Sequence, residues 1–104
     1  MLARNQDNRW EFDSLPTPNL RSASITTDRH GRICVSGCVS NESGGEELVF
    51  LRQENGHWKS SAVDEVPACR SSHLQFDSAG QPVIVTFRPD RQDQTTVHIY
   101  RLKN

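Results

Sequence analysis

The sequence is short of the signatures that announce chemistry. It has no glycine-rich phosphate loop, no Gly-x-Ser-x-Gly elbow and no His-Glu-x-x-His pair, so an enzymatic role is not expected. Charge of one sign is also missing. Twelve Lys plus Arg stand against 13 Asp plus Glu, for a net charge of -1, and both signs are scattered along the chain. That removes the basic footprint with which a protein grips a phosphate backbone, and nucleic acid is not an expected partner. Long hydrophobic runs are absent too. The longest, Leu48-Val49-Phe50-Leu51, is too short to span a bilayer, and Met1 to Asp7 lack the apolar core of a secretion signal. The expectation is a soluble, cytoplasmic chain with no membrane partner.

Cysteine is sparse and odd in number. Cys34, Cys38 and Cys69 lack metal-knuckle spacing, and without a signal peptide they read as reduced thiols, with no disulfide framework. On a strand Cys34 and Cys38 would share one face and pack as small apolar residues. Cys69 with His73 has no orienting acid nearby and is not a convincing catalytic dyad. His30, His57, His73 and His98 are scattered, so no metal site and no cofactor are expected. Hydrophobic residues make up 34% of the 104, and mean hydropathy is -0.69. A single small domain with a modest core follows, one that needs something else to share its burial.

What the chain does have is an internal repeat. Displaced by 49 positions, it matches itself without a gap from Pro18 to Asn55. Pro18, Arg21, Ser22, Asp28, Gly31, Arg52 and Asn55 meet identical residues at Pro67, Arg70, Ser71, Asp77, Gly80, Arg101 and Asn104. Average residue usage would give roughly two such identities. Apolar positions agree as well: Ile25 with Leu74, Val35 with Ile84, Leu48 with Val97, Phe50 with Ile99. Before Pro18 the offset shortens to 48, aligning Trp10 with Trp58 and Arg4 with Arg52. The chain is read as one unit, 1–104, of two copies, about 10–57 and 58–104.

Within each copy the apolar runs are short, β-branched and separated by turn residues. The first strand is expected at Ala23 to Thr27 and Ser72 to Phe76. It ends in Asp28-Arg29-His30-Gly31 or Asp77-Ser78-Ala79-Gly80, where Asp bonds forward to its own turn and Gly takes positive φ. Second strands follow at Arg32 to Val39 and Pro82 to Phe87, and third strands at Glu47 to Arg52 and Thr96 to Leu102. Asn55-Gly56 makes the next hairpin, and tryptophan opens the fourth strand at Trp58 to Val63 and Trp10 to Leu15.

Four antiparallel strands per roughly 49 residues describe a β-propeller blade. The segment Asn55-Gly56-His57-Trp58 through Asn104 resembles the repeat of bacterial propeller proteins, Asn-Gly-x-Trp followed by Ser-x-x-Leu-x-x-Asp-x-x-Gly-x-Pro-x-Val/Ile and Val-x-x-x-Arg. The first copy departs from it at Ile33 and at Asn8-Arg9. The resemblance implies an all-β fold of two four-stranded blades. It also implies a lectin, a sialidase-like hydrolase or a scaffold, and the Ser-x-Asp-x-Gly-x-x-Trp turn of sialidase blades is missing here.

Two blades cannot close a ring, and each leaves an apolar face bare. The order read from the sequence begins with a fourth strand and ends with a third. The expected solution is a cyclic homo-oligomer with strand exchange, trimer favoured over tetramer, although a segment of a longer propeller would show the same open ends. The expected role is a binding scaffold with its ligand at the central opening or between blades. A protein partner meeting the loops Ser40 to Glu46 and Arg88 to Gln94 is favoured, with a lectin-like glycan site as the alternative. The candidate ligand-binding residues are Trp10 and Trp58, whose rings could stack on sugars or pack between blades, and Arg21 and Arg70, whose guanidinium groups could bind an anion or form salt bridges.

Overall fold

The structure, a computed structural model, describes residues 2–6, 9–17, 19–42, 44–66, 71–89 and 95–101. Among these there are nine strands and no helix: β1 (Leu2–Gln6), β2 (Arg9–Asp13), β3 (Arg21–Thr27), β4 (Ile33–Ser40), β5 (Glu46–Glu54), β6 (His57–Val66), β7 (His73–Phe76), β8 (Pro82–Pro89) and β9 (Thr95–Arg101). All pairings are antiparallel. They form a two-stranded hairpin β1-β2, a four-stranded sheet β3-β4-β5-β6 and a three-stranded sheet β7-β8-β9.

Side chains and glycines set the turns. At the β3-β4 turn, Oδ1 of Asp28 accepts hydrogen bonds from the N–H groups of His30 and Arg32, each 2.9 Å. The N–H of Gly31, at φ 78°, donates to the Asp28 carbonyl at 3.0 Å. The β7-β8 turn is built the same way, with Asp77 accepting from Ala79 and Gln81 and with Gly80 at φ 81°. Between β5 and β6, Asn55 and Gly56 take φ values of 52° and 80°, the two positive angles that match a tight turn to the twist of its strands.

The register of the second sheet is that of the first displaced by 49. Ile25 opposes Val35 as Leu74 opposes Ile84, and Val35 opposes Leu51 as Ile84 opposes Tyr100. The hairpin repeats the β5-β6 register at an offset of 48, so that Asn5 opposes Trp10 as Gln53 opposes Trp58. One expectation is thereby corrected. The Trp10 strand is preceded by β1, which occupies the place of a third strand. The sequence signal for β1 was weak because Arg4, Asn5 and Gln6 carry neither branched nor aromatic side chains.

A second correction concerns cysteine. Cys38, expected as a reduced thiol, is disulfide-bonded, whereas Cys34 is free and buried. Strand alternation placed both on one face but gave no information on which of them would be bonded. Burial pushes the Cys34 thiol up, and the nearby Arg52 guanidinium only partly opposes it. Thiol titration of non-reduced protein is therefore expected to find no reactive thiol in the native state and a single one in denaturant. Three in denaturant without reductant would contradict the disulfide.

Candidate functional site

The first sheet uses its two faces differently. Cys34, Ser36 and Cys38 of β4 alternate onto the same face as Leu48 and Phe50 of β5, and this face meets Leu74 and Ile84 of the second sheet in one buried cluster. Each fully buried Leu or Ile there contributes about 1.5–3 kcal/mol. A short polar chain crosses the joint. The Ser36 hydroxyl donates to Ser72 Oγ at 3.0 Å, Ser72 donates to the Ser22 carbonyl at 2.6 Å, and the Leu74 N–H donates to Ser24 Oγ at 3.1 Å. Ser22 stands at φ 52°, where the register of β3 shifts, so the backbone leaves regular strand geometry at the residue whose carbonyl accepts from Ser72.

The opposite face carries Val35, Val49 and Leu51, partly covered by Leu15 and Leu20 from the connector between β2 and β3. Gly37 permits this cover. A Cβ there would lie 2.6 Å from Leu20 Cδ1 and 3.1 Å from the Arg21 carbonyl. The cover is incomplete, and a cleft of about 450 Å³ remains, with Ser14, Thr17 and Asn19 beside Leu15, Leu20 and Ile25. Ile25 is 55% exposed, whereas its counterpart Leu74 is 5% exposed because the first sheet lies over it. Sequence reasoning missed this cleft. The repeat held the clue, since Ile25 and Leu74 hold the same place in their copies and differ in cover.

Of the candidate ligand residues, Trp58 lies in β6, half-buried against the Val35-Val49-Leu51 cluster. Arg21 opens β3 and binds across its own sheet, to Glu46 Oε1 at 3.1 Å and Ser40 Oγ at 3.3 Å. The ion pair therefore ties strands within one sheet. The two residues have different partners, and neither is among the described residues lining the cleft. The backbone of Trp10 lies in β2, while its side chain, and the whole of Arg70, fall outside the described residues. So does most of the Arg88 to Gln94 loop. The Ser40 to Glu46 loop is braced by Asn41, whose Oδ1 accepts from the Gly45 N–H at 2.8 Å. A shallow hollow beside it gathers Glu42, Glu47 and Glu65.

Beneath the β3-β4 turn, Asp28 Oδ2 meets Arg32 Nε at 2.7 Å and Arg52 Nε at 3.5 Å, and Arg32 reaches Glu54 at 3.4 Å. Burial raises the Asp28 carboxyl. The Arg32 N–H and guanidinium, with the His30 N–H, outweigh burial and hold it below the usual carboxylate range. Every carboxylate oxygen is engaged, so this cluster is structural. Among the described residues no group of three or more His, Cys, Asp or Glu side chains is placed to hold a metal ion, and no helix is long and apolar enough to cross a membrane.

No family model and no curated protein matches the chain. Among solved structures, a fucose lectin from Kordia zhangzhouensis in complex with methyl-fucoside is similar in fold, with a TM-score of 0.56 and 18% identity over 90% of this chain and 69% of that one.

Proposed function

We propose that the chain is a non-enzymatic binding module of two β-propeller blades. Identical copies close it into a ring, and a glycan is seated where the connector of Ser14 to Leu20 meets a neighbouring copy. The observation that carries the glycan reading is the likeness of fold to a fucose lectin. The cleft supports it, because Ser14, Thr17 and Asn19 offer hydrogen bonds beside the apolar side chains of Leu15 and Leu20. A sugar needs that pairing, with hydroxyls for the polar groups and C–H faces for the apolar ones. Three copies give six blades and four give eight, both within the usual four to eight, and the trimer is favoured. The Cys38 disulfide favours an oxidising compartment for this module.

Calorimetric titration with methyl-fucoside, followed by a glycan array, tests the reading. Asn19→Gly keeps the positive φ of 59° at that position while deleting the amide, and Thr17→Val deletes the hydroxyl with little change of shape. A lost hydrogen bond of about 0.5–1.5 kcal/mol weakens binding up to roughly tenfold per variant. The assembled mass should not change. An assembled protein that binds no glycan at millimolar concentration sinks the lectin reading. A second reading, a protein-interaction platform, then stands on the hollow of Glu42, Glu47 and Glu65, whose charge suits a basic segment of a partner.

A further inference from the structure

We infer that each chain holds one glycan and not two, and that Gly37 is the residue that fits the first repeat for it, by letting Leu20 lie against the sheet. The inference rests on the glycan reading and deepens it by giving the number of sites and a residue that sets the shape of the site.

The first observation is a glycine that the backbone does not require. Gly37 lies inside β4, opposite Val49 of β5, and is not one of the glycines at positive φ. Glycine inside a strand is costly, since it has more freedom to lose and no side chain to pack. What it supplies here is space. A Cβ at this position would stand 2.6 Å from Leu20 Cδ1 and 2.8 Å from Leu20 Cγ, well inside ordinary carbon contact, so Leu20 would have to lift off the sheet. Leu20 lines the cleft together with Val35 and Asn19. The seat that Gly37 gives it therefore fixes one wall of the site.

The second observation is what the repeat sets in the same places. At the offset of 49, Gly37 corresponds to Thr86, Val35 to Ile84 and Ala23 to Ser72, each of them larger. Ser72, Ile84 and Thr86 are buried, and Thr86 is so enclosed that its Oγ1 reaches no hydrogen-bond partner among the described residues. The Ser72 hydroxyl is engaged too, between Ser36 and the Ser22 carbonyl. Ala23, by contrast, is exposed. Hydrogen-bonding capacity on the connector differs in the opposite sense. Ser14 and Asn19 have alanines, Ala62 and Ala68, at the corresponding positions. The first repeat thus joins small strand residues to a polar connector, as a sugar site requires, and the second joins large strand residues to alanines, as a packed joint requires.

Equilibrium dialysis at saturating methyl-fucoside, or at saturating concentration of the sugar that a glycan array selects, should count one sugar per chain. Gly37→Ala should weaken binding by roughly tenfold or more with the circular dichroism spectrum unchanged. In a Leu20→Ala background the same Gly37→Ala change should alter binding by less than about threefold, because the side chain it displaces is gone. Two sugars per chain, or a folded Gly37→Ala protein that binds as the parent does, overturns the inference and leaves the glycan reading standing. The count needs no variant, so it decides the number of sites even where Gly37→Ala does not fold. A parent protein that binds no glycan at millimolar concentration overturns both.

Discussion

Ile99→Asp is expected to dissolve the assembly while the chain stays folded, and Phe50→Asp is expected to abolish folding. The two residues hold the same place in their copies and meet different fates. Phe50 is 6% exposed, packs in the joint between the sheets and carries the Arg52 guanidinium 5.3 Å above its ring. A carboxylate forced into that apolar joint costs several kcal/mol and forfeits the burial of the ring, together comparable to the whole stability of a small domain. Ile99 is 58% exposed within one copy, so its replacement changes folding by only about 0.5–1 kcal/mol. In the proposed ring, however, it enters the apolar joint between copies. Losing about 1.5–3 kcal/mol of burial and placing a charge in that joint should weaken each contact a hundredfold or more. Circular dichroism and sedimentation velocity read the two effects separately. An Ile99→Asp protein that assembles normally would remove this face from the interface.

Asp28→Ala should destabilise the first sheet by about 2–3 kcal/mol, and Asp77→Ala by about 1 kcal/mol. Both carboxylates hold two backbone N–H groups of their turns. Only Asp28 also holds guanidinium groups, from Arg32 and Arg52, and its side chain is 2% exposed. Removing it leaves two cations without their nearest anion, which makes the larger effect the expected one. The pH dependence has a definite sign. The folded-state pKa of Asp28 lies below its unfolded value, so its contribution is complete above the ordinary carboxylate range and is lost as pH falls through the folded value. Urea midpoints measured from neutral pH down to about pH 2 should decline in the parent protein, with the Asp28 part of the decline missing in Asp28→Asn. Equal losses from Asp28→Ala and Asp77→Ala would contradict the role given to the guanidinium pair.

Turn chemistry is why so much of the fold was legible. Asp28 with Gly31, Asn55 with Gly56 and Asp77 with Gly80 are local devices that mark where strands end whatever the tertiary context, and β3 to β9 fall within a few residues of their expected limits. The offset of 49 is likewise the one that relates the registers of the two sheets. What escaped depended on contacts distant in sequence. β1 gains its partner from a neighbouring strand and not from its own composition, and the Cys38 disulfide depends on a pairing that strand alternation does not encode. The exposure of Ile25 depends on architecture that the residue itself does not encode, since its counterpart Leu74 is buried against the first sheet. Arg21 shows the limit for sites. A guanidinium at the start of an inner strand was compatible with anion binding or with a salt bridge, and only the position of Glu46 shows which contact it makes within one copy.

Light scattering coupled to size exclusion, run over a hundredfold range of concentration, tests the central claim most directly. The account predicts a discrete multiple of 11.8 kDa, three copies in the favoured form, that persists on dilution because the last contact closes the ring. A well-folded species of 11.8 kDa at every concentration would contradict it. The bare faces at Ile25 and Ile99 would then have no counterpart in a second copy.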